Sequence, residues 1–148
     1  MEITRNDIYK MVMEAIGGIE RFVGVTEELD KLLDGTCRYI AIDDSSSVGI
    51  ESGIKKLEVS CDGHSGDMVC IDHIEMINKG NNYGTMLMEV ICKWADIHHI
   101  ILTLTPSIDF GASSIGRLES FYKYFGFVAN KGKNSNFNTR QSMYRLPK

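Results

Sequence analysis

The residues best able to do chemistry lie in a turn, rich in glycine and asparagine, that leads straight into a helix. The turn and the first helical residues are Lys79, Gly80, Asn81, Asn82, Tyr83, Gly84 and Thr85. A turn that enters a helix N-terminus directs several backbone N–H groups toward one point, and such a point binds phosphate. Glycine and asparagine tolerate the left-handed backbone that the turn needs, and Gly84 lets a ligand approach the backbone closely. The alternative interpretation is a tight loop entering a core helix.

This turn differs from two common nucleotide-binding motifs. The chain contains no GxxxxGK[ST] sequence, so the turn is not a Walker A loop. It is not a Rossmann fingerprint either, because the preceding strands are predicted to be linked by hairpins and not to form a βαβ unit. If the turn binds a pyrophosphate, a different cofactor carries it.

The hydrophobic pattern predicts one α/β (α+β) domain over residues 1–148, in the order helix, helix, three strands, helix, strand, helix, two strands. Helices are predicted at 6–22, at 26–33 with Thr26 starting a capping box, after the turn from 83, and from a cap at Ser113 or Ser114 to a stop at Gly126. Strands are predicted at 38–42, 56–61, 68–77, 100–105, 127–130 and 143–146, the first three as an antiparallel meander. Residues 43–49 are predicted to be a turn or loop.

Two blocks of the chain resemble the GNAT superfamily of acetyl-coenzyme A-dependent N-acetyltransferases. The signature of that family is a strand followed by (Arg/Gln)-x-x-Gly-x-(Gly/Ala) at a helix start. Residues 79–84 follow this frame with Lys79 in the first position, Asn82 in place of the first glycine and Gly84 in the last position. Residues 121–127, FYKYFGF, are similar to the family's helix that ends in Tyr-x-x-x-Gly-Phe. Residues 105–111 with Arg117 also resemble a phage- and plasmid-associated subgroup.

The resemblance implies a GNAT-like fold of order ααβββαβαββ, with a mostly antiparallel mixed sheet and helices on both faces. It also implies that acetyl-coenzyme A is the cosubstrate. In GNAT proteins the signature turn holds the pyrophosphate, and the preceding strand splays from the next one so that the pantetheine arm lies between them. Carried over by motif position, the residues 79–85 given above are the phosphate contacts, and Ile74, Glu75 and Met76 flank the arm.

The resemblance further implies an acid that protonates the departing thiolate. Tyr122, four residues before Gly126, falls at the family's acid position. The alternative is a core aromatic on an apolar helix face beside Phe121 and Phe125. Tyr124 is the fallback for the acid role, although helix geometry points it elsewhere.

A base for the amine is expected on the strand before the turn, where the family often places one. The candidates are His73 and Glu75, which strand alternation puts on one face, with Asp72 on the other. Ordinary solvent-facing residues are the alternative for both. Asp109 follows the strand that borders the acetyl site and is a candidate substrate contact, with a cap or turn role as its alternative.

Composition narrows the function class. The net charge is −4, yet residues 120–148 contain six basic and no acidic residues, so the C-terminal portion is electropositive and suits an anionic ligand. The acidic chain as a whole does not favour nucleic acid. The cysteines Cys37, Cys61, Cys70 and Cys92 have neither metal-ligand nor disulfide spacing, so no metal is expected. The N-terminal sequence and the lack of a long apolar run predict a soluble, cytoplasmic protein.

The resulting hypothesis is an N-acetyltransferase acting on a protein lysine, a peptide or a small amine. Two alternatives remain open at this point. One is a related acyltransferase that acts on a nucleic-acid base or an aminoacyl-RNA, which the basic C-terminal residues leave open. The other is a non-catalytic coenzyme A-binding module. The sequence does not indicate an oligomeric state.

Overall fold

Six strands and four α-helices form the part of the chain that the computed structural model describes, which is residues 19–63, 66–78, 80, 82–107 and 114–148. The α-helices are α1 (Val23–Leu33), α2 (Ser47–Ser52), α3 (Tyr83–Ile97) and α4 (Ile115–Tyr124). The strands are β1 (Tyr39–Asp43), β2 (Ile54–Cys61), β3 (Met68–Met76), β4 (Ile101–Leu104), β5 (Val128–Ala129) and β6 (Met143–Arg145). Short 3-10 turns lie at Ile19–Phe22 and Gly132–Asn134.

The strands form a single mixed sheet in the order β1-β2-β3-β4-β6-β5. Neighbours pair antiparallel except β3 and β4, which are parallel and are joined through α3. Strand β6 lies between β4 and β5, so the last hairpin folds back onto the parallel pair. The predicted mixed, mostly antiparallel sheet is therefore confirmed, as is the meander of the first three strands.

The predicted element order is wrong at one point, because residues 43–49 do not form a simple loop. They lead into α2, which the Ser46 side chain caps by accepting a hydrogen bond from the Gly49 backbone N–H at 3.1 Å. Gly53, with φ +70°, ends this helix in the left-handed conformation that glycine adopts readily. A helix of 6 residues makes fewer than two turns, so it has too few periodic apolar positions to be recognised from sequence.

Two further boundaries differ from the predictions. Helix α1 begins at Val23, and the hydroxyl of Thr26 donates to the Val23 carbonyl at 2.7 Å and so does not cap the helix. The helix predicted over 6–22 falls mostly outside the described residues. By contrast, the predicted cap at Ser114 is confirmed, because its hydroxyl accepts from the Arg117 N–H at 3.1 Å.

The core lies between the sheet and helices α1 and α3. Trp94 and Leu87 of α3 and Leu29 of α1 have no exposed surface, and they pack with Leu57 and Leu102 of the sheet. The Trp94 indole N–H donates to the Asp30 carboxylate at 3.0 Å, which satisfies the one polar group that this side chain brings into the core. The longest helix in the described ranges, α3, has 15 residues, fewer than a membrane crossing requires.

Strand β3 stays beside β4 for only part of its length. Three residue pairs join them, from Met68 with Ile101 to Cys70 with Thr103. Among the described strands, β3 then continues to Met76 paired only with β2. The pairing register of β3 with β2 shifts just after Ile71, because Asp72 is an extra residue opposite β2. A bulge bends its strand and increases the twist. The sheet therefore opens between the end of β3 and the end of β4.

A buried ion pair fixes the end of α4 against α3 and β6. Both guanidinium nitrogens Nη1 and Nη2 of Arg145 bond to the Asp96 carboxylate, at 2.8 and 3.1 Å, and Nε donates to the Phe125 carbonyl at 2.7 Å. Burial raises the pKa of Asp96, but the hydrogen bonds from Arg145 and from the Lys148 backbone outweigh it and hold that pKa below its usual range. Asp96 is therefore ionised at neutral pH.

Replacing Arg145 with methionine should destabilise the protein by about 3 kcal/mol at pH 7, because it leaves the Asp96 carboxylate half-buried without its cation. Since the folded-state pKa of Asp96 is depressed, its contribution to stability is present above the unfolded value of about 4 and is lost as the pH falls below it. Urea denaturation from pH 7 to pH 3 should show the difference between wild type and Arg145→Met shrinking on acidification. The exposed Arg140→Met is the control and should change little at any pH. A constant difference across this range would contradict the assignment to Asp96.

Candidate active site

A cleft occupies the opening between β3 and β4. Its lining residues come from β3, from the end of β4 and the segment after it, and from α4: Ile71, Asp72, His73, Ile74, Leu104, Thr105, Pro106, Ser107, Leu118 and Tyr122. Its volume is about 410 Å³, including space open to solvent. Two predicted catalytic residues, His73 and Tyr122, thus lie in the same cleft, together with the predicted arm-flanking residue Ile74. Thr105, Pro106, Ser107 and Leu118 were not themselves predicted as site residues, although the loop after this strand was expected to meet substrate through Asp109.

The bulge at Asp72 changes which side chains share a face of the sheet. Asp72 accepts a hydrogen bond from the Ser60 hydroxyl at 2.7 Å, while His73 lies beside Glu58. Ser60 and Glu58 are two apart on β2 and so point to the same face. The expectation that Asp72 and His73 point to opposite faces is therefore wrong, because the extra residue interrupts strict alternation.

His73 is held between two carboxylates. Its Nε2 lies 3.2 Å from Glu75 Oε1, within hydrogen-bond distance, and its Nδ1 lies 3.7 Å from Glu58 Oε1. The hydrogen bond with His73 holds the pKa of Glu75 below its usual value, and the Lys55 ammonium 3.4 Å from Glu75 Oε2 acts in the same direction. Both ring nitrogens therefore lie near carboxylate oxygens, which only accept hydrogen bonds when ionised. His73 and Glu75 share a face, as predicted.

Tyr122 contributes a buried side chain from α4 to the lining of the cleft. The residue is 6% exposed, and its ring packs edge-on against Phe121 and Phe127. Among the described residues its hydroxyl has no hydrogen-bond partner, which is unusual for a buried polar group. Burial raises the pKa of Tyr122, so the hydroxyl stays protonated at neutral pH. The side chain is part of the core, as the alternative interpretation held, and the residue also lines the cleft.

The turn before α3 has the left-handed backbone that its composition predicts. Gly80 has φ +101° and Asn82 has φ +60°. No side chain caps α3, and its first turn contains no acidic residue, so its N-terminal N–H groups face no competing carboxylate from their own turn. A Cβ on Gly84 would lie 3.6 Å from the Met76 side chain, which places this turn at the end of β3. Lys79 and Asn81 lie outside the described residues, as does Asp109.

An arginine that the sequence did not indicate lies at the start of α3. The Arg21 guanidinium stacks 3.8 Å from the centre of the Tyr83 ring and donates to the Tyr83 hydroxyl at 3.0 Å. The Ser52 hydroxyl donates to the Arg21 carbonyl at 2.8 Å, so α2 fixes its backbone. Because Arg21 and Tyr83 are 62 residues apart, only the tertiary fold brings this cation to the turn. The side chain of Tyr83, predicted as a phosphate contact, is therefore engaged with Arg21.

Comparison with known proteins does not assign the chain to a family. No family model matches it, and no curated protein is similar to it at a significant level. The residues and their geometry are therefore the basis for any functional conclusion.

Removing the Tyr122 hydroxyl should not destabilise the fold. A buried hydroxyl without a partner costs about 1–3 kcal/mol of desolvation, so Tyr122→Phe should leave the free energy of unfolding unchanged or increase it by up to about 1 kcal/mol. The matched control is Tyr144→Phe, because Tyr144 is similarly buried but donates to the Asn134 carbonyl at 2.7 Å. That variant should lose about 1 kcal/mol in chemical denaturation. An equal loss in both variants would show that Tyr122 has a structural partner.

Proposed function

We propose that this chain is a GNAT-type N-acetyltransferase that transfers the acetyl group of acetyl-coenzyme A to an amine. The observation that carries the proposal is the cleft between the diverging strands β3 and β4, with the buried Tyr122 hydroxyl in one wall and His73 in the other. The left-handed turn into α3 lies at the far end of β3, beside Met76. An extended ligand along β3 would place its phosphates at the turn and its reactive end in the cleft.

The chain's own residues suit the two ends of such a ligand. The N-terminal N–H groups of α3 would bind the pyrophosphate, and Gly84 would admit it close to the backbone. Arg21 adds a positive charge at this turn. Beyond Cys70, no strand of the described residues pairs with β3 on its β4 side, so backbone groups along this part of β3 would be available to the amides of the pantetheine arm.

The reaction forms one bond and breaks one. The neutral amine nitrogen attacks the thioester carbonyl carbon, the C–N bond forms, and the C–S bond breaks to release the coenzyme A thiolate. The amine loses a proton and the thiolate gains one. Holding both reactants in the cleft supplies much of the rate by proximity alone.

His73 and Tyr122 have roles in the two proton steps. The amine proton passes to the His73 imidazole, directly or through water, and the resulting imidazolium is stabilised by the Glu75 and Glu58 carboxylates beside its two ring nitrogens. Of the two predicted bases, His73 lines the cleft, and Glu75 orients it. The Tyr122 hydroxyl donates its proton to the departing thiolate. Its raised pKa keeps it in the donor form up to at least its ordinary pKa of about 10.

Acetyl-coenzyme A should raise the melting temperature, because a ligand selective for the folded state stabilises it by mass action. At about 100 times its Kd the shift should be about 5 °C or more for a domain of this size. Gly84→Val should abolish the shift, because its branched side chain would occupy the space that the pyrophosphate requires. Differential scanning fluorimetry measures both effects.

Gly116→Val is the matched control, since Gly116 is the second residue of α4 as Gly84 is of α3, and a Cβ there meets nothing within 4 Å. It should keep the full shift. A folded Gly84→Val protein that still responds to the ligand would move the phosphate site elsewhere. No shift in the wild type at millimolar ligand would end the cofactor assignment.

Tyr122→Phe should lower kcat by about 10²- to 10⁴-fold, the usual contribution of general acid catalysis, with little change in acetyl-coenzyme A affinity. The measurement is the release of free thiol with an amine acceptor that a screen against labelled acetyl-coenzyme A has identified. The control is Tyr124→Phe, because Tyr124 is 77% exposed on the same helix. An unchanged kcat in Tyr122→Phe, with chemistry rate-limiting, would remove the acid role. A larger loss in Tyr124→Phe would transfer that role.

The acceptor class and the metal requirement stay predictions. The proposal covers a protein lysine, a peptide or a small amine as acceptor, and no metal is expected to be needed. If coenzyme A binds but thiol is never released with any amine, the chain is a coenzyme A-binding module.

A further inference from the structure

The loop between β5 and β6, residues 130–142, is closed by an unusually dense set of hydrogen bonds. The Asn130 side-chain amide donates to the carbonyls of Asn136 at 3.1 Å and Gln141 at 2.9 Å, and its oxygen accepts from the Asn136 N–H at 2.6 Å. At the base of the loop, the Thr139 hydroxyl donates to the Asp62 carboxylate at 2.6 Å. The loop therefore has a fixed shape, although it contains only one short 3-10 turn.

This loop holds an aromatic ring out in solvent. Phe137 is 95% exposed, the highest value among the exposed large hydrophobic residues of the described chain. The side-chain oxygens of the neighbouring Asn136 and Thr139 accept hydrogen bonds from backbone N–H groups of the same loop. A single exposed phenylalanine is ordinary on a mobile surface, but here the backbone on both sides is fixed and keeps the ring from folding inward.

Basic residues lie close to Phe137 along the chain. Lys131, Lys133 and Arg140 are all exposed and lie within seven residues of Phe137, and the sequence has no acidic residue from 120 to 148. The carboxylate nearest to this loop in the hydrogen-bond network, that of Asp62, is at its base and accepts from two threonine hydroxyls.

The same loop is attached to the wall of the cleft. The hydroxyl of the cleft residue Thr105 donates to the Gln141 side-chain oxygen at 2.7 Å and accepts from the Ser142 N–H at 3.1 Å. A molecule bound along the loop would therefore lie next to the cleft mouth. This placement follows from the hydrogen bonds and does not depend on which reaction the cleft performs.

We propose that the β5–β6 loop binds single-stranded nucleic acid, with a base stacked on Phe137 and phosphates contacting Lys131, Lys133 and Arg140. An exposed aromatic ring among cations is the arrangement by which proteins bind single strands without sequence preference. A duplex hides its base faces and would leave the ring unused. An acidic peptide would need a groove for its apolar side chains, and a membrane would need several apolar residues where the loop has one. The whole-chain charge of −4 predicts weak binding, whereas the local charge of this loop favours it.

The test is fluorescence anisotropy of a labelled single-stranded RNA of about 12 nucleotides at about 50 mM salt, where electrostatic binding is strong. Wild-type protein should bind in the micromolar range. Phe137→Ala should weaken binding at least about fivefold, the low end for loss of base stacking, with an unchanged melting temperature because the side chain is exposed. Tyr124→Ala removes another exposed aromatic, outside the loop, and should have no effect.

A double variant that removes two positive charges distinguishes binding at this loop from a general attraction of the protein to polyanions. Lys133→Gln combined with Arg140→Gln should flatten the slope of log K against log salt by about 1.4, since each phosphate contact to a single strand contributes about 0.7. Lys31→Gln combined with Lys93→Gln removes two exposed lysines elsewhere and should leave the slope unchanged.

Three outcomes would overturn the proposal. The first is no binding at about 10⁻⁴ M protein in low salt, the weak end of non-specific affinity. The second is a folded Phe137→Ala protein with wild-type affinity, which would remove stacking. The third is polyglutamate competing as well as unlabelled RNA, which would assign the charge to an acidic protein partner. None of these outcomes bears on acetyl-coenzyme A binding, which the Gly84→Val experiment tests separately.

Discussion

The cleft and the polar face beside it depend on one constraint, the short parallel pairing of β3 with β4. The two strands share three residue pairs, and the bulge at Asp72 then turns β3 away. A continuous ladder would bury the backbone groups of both strands in hydrogen bonds with each other. Because the ladder ends at Cys70, the β4 side of β3 beyond that point has no strand partner in the described part of the chain, and a cleft opens between the strands. The same bulge brings Asp72 and His73 to one face, so it shapes both the opening and the polar wall beside it.

The cleft stays open because its other wall is fixed independently of the ladder. Helix α4 carries Tyr122, and its end is held by the Arg145 bonds to the Phe125 carbonyl and to Asp96 on α3. Strand β6, which contains Arg145, pairs with β4, so α3, α4 and the sheet meet at one guanidinium. Within this packing the Tyr122 hydroxyl is buried with no hydrogen-bond partner among the described residues. The free-energy cost of burying that hydroxyl is offset by the packing around it.

How far the sequence predicted this structure depended on whether the controlling interactions were local. The strands, α3, α4 and the Ser114 cap were predicted because periodicity and capping are properties of adjacent residues. The left-handed Gly80 and Asn82 followed from residue type in the same way. The position of Arg21 over Tyr83 was not predictable, since it depends on contacts across 62 residues. Helix α2 was missed because it is too short to show a hydrophobic period. The face to which Asp72 points was predicted wrongly because one extra residue interrupts the alternation of side chains along β3.

Charge distribution connects the cleft to its surroundings. On the β3 side, Glu58 and Glu75 flank His73 and are themselves paired with Lys56 and Lys55. Two of the three carboxylates on this face are therefore paired with lysines, while the third, Asp72, accepts a hydrogen bond from the Ser60 hydroxyl. On the opposite side the β5–β6 loop is purely basic and is bonded to the cleft through Thr105. In the proposed reaction, an acceptor crossing this mouth would pass from a basic surface to an acidic one. Because a basic loop repels a uniformly cationic peptide, that reaction would favour an acceptor with an anionic body and an amine at its end.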